Sequence, residues 1–287
     1  MKSRTKGVLM AIGAAFFYAM IAATVKWIGS GMPPFEKFFF RSAFGFVLIC
    51  VIMSRQRLPF RPVNQAMLVL RGVTGLIAGI AYYVAVSAAP LAEVITLSNI
   101  FPFMVVILSA FFFKEKIRSY HLAALALSFA GVLLVMRPGF ADVNIYYIIA
   151  SFSAVFTAFA YICLKQARKT DTSEMVVFYF SLIGMLGCLP FMLAGNFIMP
   201  TAFQLFQLVI LGLNATAYQL LVSGAYKYAP AGELSIYSYT TIVFSAAIGM
   251  LFFGEYPALA TVIGITAILV GAYIIFRREK AAPGLPD

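Results

Sequence analysis

Charge is scarce in this chain. Asp, Glu, Lys and Arg together make up 11% of 287 residues, against roughly 25% in soluble domains. Histidine occurs once, at position 121 beside a cationic segment, which excludes a histidine metal centre and a histidine proton relay across a membrane. Cysteine occurs three times, at 50, 163 and 188, each within an apolar run, so three reduced, buried thiols are expected. No Gly-rich phosphate loop ending in Gly-Lys, no nucleophile elbow and no HExxH is present. Without a nucleotide site, any work the protein does must be facilitated or driven by an ion gradient. Without converging acids or nucleophiles at mid-membrane depth there is no intramembrane enzyme, and no cofactor is expected.

What the chain has instead is hydrocarbon. Hydrophobic residues reach 63% and the mean hydropathy is +0.96. Apolar runs of about 20 residues, each long enough to cross a bilayer core, follow one another along the whole length. Between charged or Pro/Gly breaks, they predict ten transmembrane helices at 7–28, 34–53, 66–87, 90–113, 119–137, 145–165, 174–195, 203–226, 230–253 and 257–276. The first is read as a mature helix rather than a signal peptide, because "AFFYAMIAATVK" (15–26) pairs with "AVFTAFAYICLK" (154–165).

Lys and Arg sit in alternate loops. Lys2, Arg4 and Lys6 share one set of ends with Arg55, Arg57, Arg61, Lys114, Lys116, Arg118, Lys165, Arg168, Lys169, Lys227, Arg277, Arg278 and Lys280. The opposite loops, near 30–33, 88–89, 196–202 and 254–257, contain neither residue. The positive-inside rule then places both termini in the cytoplasm. This asymmetry accounts for the net charge of +11, which is therefore not a nucleic-acid footprint.

Two stretches, "APLAEVITLS" (89–98) and "APAGELSIYS" (229–238), repeat Ala, Pro, Glu and Ser at a shift of 140 residues. The same shift pairs Phe38 with Phe178, Gly72 with Gly212, Glu115 with Glu255, Gly131 with Gly271 and Arg137 with Arg277. Five helices per copy is an odd number, so the second copy is inverted. Repeats are expected over 1–142 and 143–280, with 281–287 a disordered tail. Inverted repeats are the architecture of alternating-access transporters.

The stretches "FFFRSAFG" (38–45), "LRGVTG" (70–75), "APLAEVITLSNIFPF" (89–103), "FFFKEKI" (111–117) and "GVLLVMRPG" (131–139) resemble a first EamA repeat. "YKYAPAGELSIYSY" (226–239) and "FFGEYP" (252–257) are similar to the second. The resemblance, to the drug/metabolite transporter superfamily, covers essentially the whole chain. It implies ten helices around a central cavity lined by the third, fourth, eighth and ninth, and transport of amino acids or other small metabolites, often outward.

The resulting expectation is an all-α membrane protein in the cell (inner) membrane. It would be a secondary or facilitative transporter exporting a small polar metabolite, an amino acid or related compound, by alternating access. Its partners would be that small molecule, a coupling proton or ion and the lipid bilayer, with no nucleic acid, as a monomer or weak dimer. A non-transporting accessory protein and an uptake carrier for a vitamin or nucleoside are the alternatives.

Arg41 lies about seven residues into its helix, a depth that suggests a substrate path; helix-end carbonyls or Glu36 are its alternative partners. Arg71, nearer the cytoplasmic edge, is expected to snorkel. Neutral polar groups near mid-helix complete the expected substrate-binding set: Thr74, Ser98, Asn99, Asn214, Tyr218, Gln219, Tyr237, Ser238 and Thr241. Glu93 and Glu233, just inside Pro90 and Pro230, either stabilise a helix N-terminus or gate the two opposite rims. Gly72, Gly75 and Gly79 are read as helix-packing contacts.

Overall fold

The computed structural model describes residues 2–113, 119–136, 144–225, 228 and 237–281. Among them are only helices, turns and extended connections: α1 (Lys2–Ile28), α2 (Pro34–Arg55), α3 (Gln65–Ala88), α4 (Leu91–Ser98), α5 (Phe101–Phe113), α6 (Ser119–Met136), α7 (Ile145–Ala167), α8 (Ser173–Phe191), α9 (Ala202–Ala225), α10 (Thr240–Phe253) and α11 (Leu259–Ala281). Six of these are long and apolar enough to cross a membrane by length and composition alone. Glu115, Arg137, Lys227, Pro230, Glu233 and residues 282–287 lie outside the described residues.

The helix ends follow local chemistry. Asn64, Asn144 and Thr172 cap α3, α7 and α8, each side-chain oxygen accepting a backbone N–H of the first turn. Pro33 and Pro34 open α2 where a missing N–H is harmless. Gly254, at φ 65°, ends α10 in the left-handed conformation that glycine adopts freely. Pro190 stands inside α8, which loosens into a π-helical turn at Met192–Asn196.

One expected helix is broken. The run 90–113 is not continuous: α4 stops at Ser98, Asn99 and Ile100 form a turn, and α5 begins at Phe101. Pro102 has no N–H to continue the α4 ladder, and Phe103 instead bonds Ile100 O at 3.0 Å. The Asn99 amide takes Ile95 O at 2.8 Å. A matching interruption occurs at Tyr239, which the 140-residue shift pairs with Asn99. Non-helical backbone at this depth is tolerated only where it is buried in protein or lines a cavity.

Packing follows the same shift. α1 lies along α9 as α3 lies along α7, α4 packs on α7 as α10 packs on α1, and α2 crosses α8 while α6 pairs with α11. Exchanging the two halves maps each contact onto another. Small residues bring the helices together. A Cβ on Gly72, Gly75 or Gly79 would come within 2.4 Å of Ile183, Phe180 or Phe38 respectively. The outward faces, with Phe129 and Leu133 on α6 and Val262 and Val270 on α11, are exposed apolar side chains suited to lipid.

Gly131 and Gly264 mark a backbone-to-backbone crossing, because a Cβ on either would stand 2.6 Å from the other's carbonyl oxygen. The obstacle there is backbone, which cannot rotate away. Gly131→Val is therefore expected to destabilise the α6–α11 pair by about 1–3 kcal/mol, read as a lower unfolding temperature in detergent. Unfolding at the parent temperature would contradict this packing.

Candidate functional site

A chamber with an accessible volume of about 50 Å³ lies between α1, the α4–α5 break, α7, α9 and the start of α10. Its floor on α1 is the small-residue face Ala11, Ala14 and Ala15, three positions that helical spacing puts on one side. Its walls are aromatic: Phe101 stacks on Tyr161 at 4.7 Å, and Tyr18 stands 5.1 Å from Tyr218. The hydroxyls of Tyr161 and Tyr218 bond each other at 2.7 Å, tying α7 to α9. Asn99, Ser238 and Thr241 add polar groups. Both helix interruptions thus border one chamber.

A second, smaller pocket, with an accessible volume of about 10 Å³, sits where α2 crosses α8, lined by Arg41, Ser42, Gly45, Ser181, Thr216 and Gln219 among others. Arg41 is 8% exposed. Its Nη1 donates to Tyr83 Oη at 3.3 Å, and the guanidinium packs against the rings of Phe38, Phe180 and Tyr83 at 4.6, 5.3 and 5.8 Å. Glu36 is not its partner, since that carboxylate accepts from Ile198 N at 3.2 Å.

Arg71 does not snorkel. It is buried, donates to Gln219 Oε1 at 3.0 Å, and packs over Tyr161 and Phe180. Aromatic faces and an amide supply what the aqueous edge would have. Arg71 and Gln219 stand between the two cavities, since Tyr161 lines the chamber and Gln219 the smaller pocket.

The two ends of the bundle differ. At the cation-poor end, Lys26 at the close of α1 forms an ion pair with Glu255, which follows α10. Glu255 Oε2 also accepts Leu91 N at 2.9 Å, and Lys26 donates to Ala89 O at 3.1 Å. One turn on, Thr261 of α11 donates to Glu93 Oε1 at 3.2 Å. Lys37 Nζ caps the end of α1 through Gly29 O at 2.6 Å and holds Ser87 Oγ at 2.9 Å. These bonds join residues of both repeats into a latch. At the cation-rich end, Asp171 accepts Val63 N and Asn64 N at 2.7 and 3.0 Å, tying two loops. The chamber lies toward this second end, against the first half of α1 and the last turns of α9.

The residues singled out in the sequence are thus distributed. Asn99, Tyr218, Ser238 and Thr241 meet in the chamber, and Arg41 and Gln219 in the smaller pocket. Thr74 returns its hydroxyl to Leu70 O at 2.6 Å and lines neither. Ser98 bonds Ser153 Oγ at 3.3 Å behind the chamber wall. Asn214 has a buried Nδ2 with no partner among the described residues. Tyr237 packs on Ala11 and Ala225. Glu93 lies in the latch. Sequence reasoning did not single out Tyr18, Tyr161 or Phe101; the Ala11–Ala14–Ala15 face one turn before Tyr18 was the available signal.

A polytopic helical membrane protein with a partly polar chamber at a repeat interface has the build of a transporter. The family model for EamA-like transporters matches twice, over 5–137 and 144–277, and the chain belongs to that family. It is 30% identical over 276 residues to the pseudopaline exporter of Pseudomonas aeruginosa, covering 96% of this chain and 97% of that one. The S-adenosylmethionine uptake transporter of Rickettsia bellii is 26% identical over 267 residues, covering 90% of this chain and 88% of that one. A solved crystal structure shares the fold, with a TM-score of 0.69 at 20% identity, over 98% of this chain and 99% of the other.

Proposed function

We propose that the protein is a secondary transporter that exports a small polar metabolite across the cytoplasmic membrane by alternating access. The halves 1–142 and 143–280 are the units that exchange conformations. The observation that carries this reading is the pairing of a chamber in the cation-rich half with a polar latch across the other end. With the cation-rich loops in the cytoplasm, this is an inward-facing arrangement that receives substrate from the cell interior. Substrate enters past Val222 and Ala225, is held among Tyr18, Tyr161, Tyr218, Asn99 and Thr241, and is released outward when the latch parts. An exporter among the relatives supports the direction. Uptake is the second reading, favoured by the Rickettsia relative.

Purified protein in liposomes, screened for exchange of amino acids, nucleosides and vitamins from each side, tests the reading. Saturable exchange of at least one compound is expected. No exchange of any would favour an accessory membrane protein. The orientation has its own test. Cysteines at 31 and 198 are expected to label in intact cells, and those at 57, 116 and 170 only after permeabilisation. Labelling of position 57 in intact cells would contradict it.

A further inference from the structure

We infer that the pocket where α2 crosses α8 is an anion subsite, with Arg41 as its cation and a carboxylate of the transported molecule as its ligand. The word "transported" rests on the proposed function; the subsite rests on its own observations. Arg41 carries a planar, multi-donor guanidinium suited to a carboxylate, and it is 8% exposed. Among the described residues its single hydrogen bond goes to the neutral phenol of Tyr83, and no carboxylate adjoins it. The nearest acid in sequence, Glu36, is engaged by Ile198 N. A charge without a counter-ion at this depth is costly; the aromatic faces around it compensate only in part, and Arg71, packed on the same Phe180 ring, adds a like charge. An arriving anion supplies the missing countercharge.

The lining is built for acceptor atoms. Ser42 contributes a buried hydroxyl with no partner among the described residues. Ser181 brings a second hydroxyl, while Thr216 donates its own to Gly212 O at 2.8 Å. Gly45 keeps the space open: a Cβ there would stand 3.1 Å from both Ser181 Oγ and Thr216 Oγ1. The accessible volume of about 10 Å³ is room for one water, so a carboxylate takes that place only as the lining side chains part around it. The position is also apt for transport. Arg41 and Ser181 are related by the 140-residue shift and line the same pocket, so the pocket lies on the inversion axis, where substrate sites of inverted-repeat carriers fall. One half contributes the charge and the other a hydroxyl.

The test needs neither the substrate nor transport. Cys50, Cys163 and Cys188 are free thiols and are replaced by Ala; Thr216→Cys then places a single thiol in the pocket of the reconstituted protein. Reaction rates with a methanethiosulfonate bearing a sulfonate and with one bearing trimethylammonium are compared. Their ratio is normalised to the same ratio at Met199→Cys, an exposed loop position. A preference for the anionic reagent of at least about tenfold is expected from one unpaired cation at close range. Arg41→Lys should keep it and Arg41→Gln abolish it. The normalised ratio carries the test even if Arg41→Gln fails to fold. Sodium acetate should slow the anionic reagent, and sodium chloride at equal ionic strength should not. Equal reaction with both reagents, no reaction with either, or equal protection by chloride would each overturn the carboxylate subsite. Anion preference without any exchange activity would instead contradict the transporter reading and leave the subsite standing.

Discussion

Neutralising Glu255 is expected to open the cation-poor end of the bundle. In Glu255→Gln, a cysteine at position 93 should react with an impermeant thiol reagent at least tenfold faster than in the parent. The reason is local. Lys26 and Glu255 are only 20% and 18% exposed, so water screens their attraction weakly, and each also holds a backbone group of the 89–91 corner. Hydrogen bonds to charged groups of this kind contribute about 2 kcal/mol, a bias of roughly thirtyfold between two conformations. Gln keeps the shape of Glu and loses the charge, so the change reads electrostatics rather than packing. Lys26→Met should act in the same direction, since it leaves Glu255 without its cation. The exchange Lys26→Glu with Glu255→Lys should recover much of the closure. Slow reaction at 93 in all these variants would make the ion pair incidental. The repeat assigns the equivalent role at the opposite end to Lys165 and Glu115, of which Glu115 lies outside the described residues.

The largest effect on transport is expected from filling the chamber. Ala15 is 3% exposed and lines the small-residue face of α1. Ala15→Trp would project an indole toward the volume between Phe101, Tyr161 and Tyr218. It adds no charge and removes no hydrogen bond. Exchange in liposomes should fall by at least a hundredfold, about 2.7 kcal/mol, while labelling at position 93 keeps its parent rate. Ala246→Trp, on the middle of α10 and outside the chamber lining, is the size-matched control and should retain exchange. Full activity of the Ala15 variant would move the substrate path out of this chamber.

Much of this architecture was legible in the sequence because bilayer crossing is a matter of length and composition. The ten runs, the Lys/Arg asymmetry and the spaced Pro, Glu and Gly residues stood out against an apolar background. The break at Asn99–Ile100 was not read, although Pro102 sits just beyond it. An apolar run carries no periodicity that separates one helix from two half-helices, and Asn99 was noted only as a polar group. The aromatic chamber escaped for a related reason. With aromatics at 16% of the chain, a tyrosine facing lipid and one facing a cavity look alike along the sequence.

Charged residues were the most misleading. Arg71 was expected at the aqueous edge from its distance to the helix end, yet Phe180, Tyr161 and Gln219 from the other half enclose it. Ser181 is the repeat mate of Arg41 at the 140-residue shift. In space it lines the pocket that Arg41 enters. Lys26 and Glu255 are 229 residues apart, and only the folded repeat brings them together.

The central claim is that one end of the bundle opens as the other closes. It is tested most directly by following two thiols in the Glu255→Gln background: a cysteine at 93 in the latch and one at 238 in the chamber wall, each probed from its own side of the membrane. Ser238 serves for the cation-rich side because Glu233 lies outside the described residues. The account predicts reciprocal change, with reaction at 93 rising and reaction at 238 from the cytoplasmic side falling relative to the parent, since the two states share one equilibrium. If the variant raises reaction at 93 while 238 stays as reactive as before, both ends are open at once. The protein would then be a channel, and the alternating-access account would be wrong.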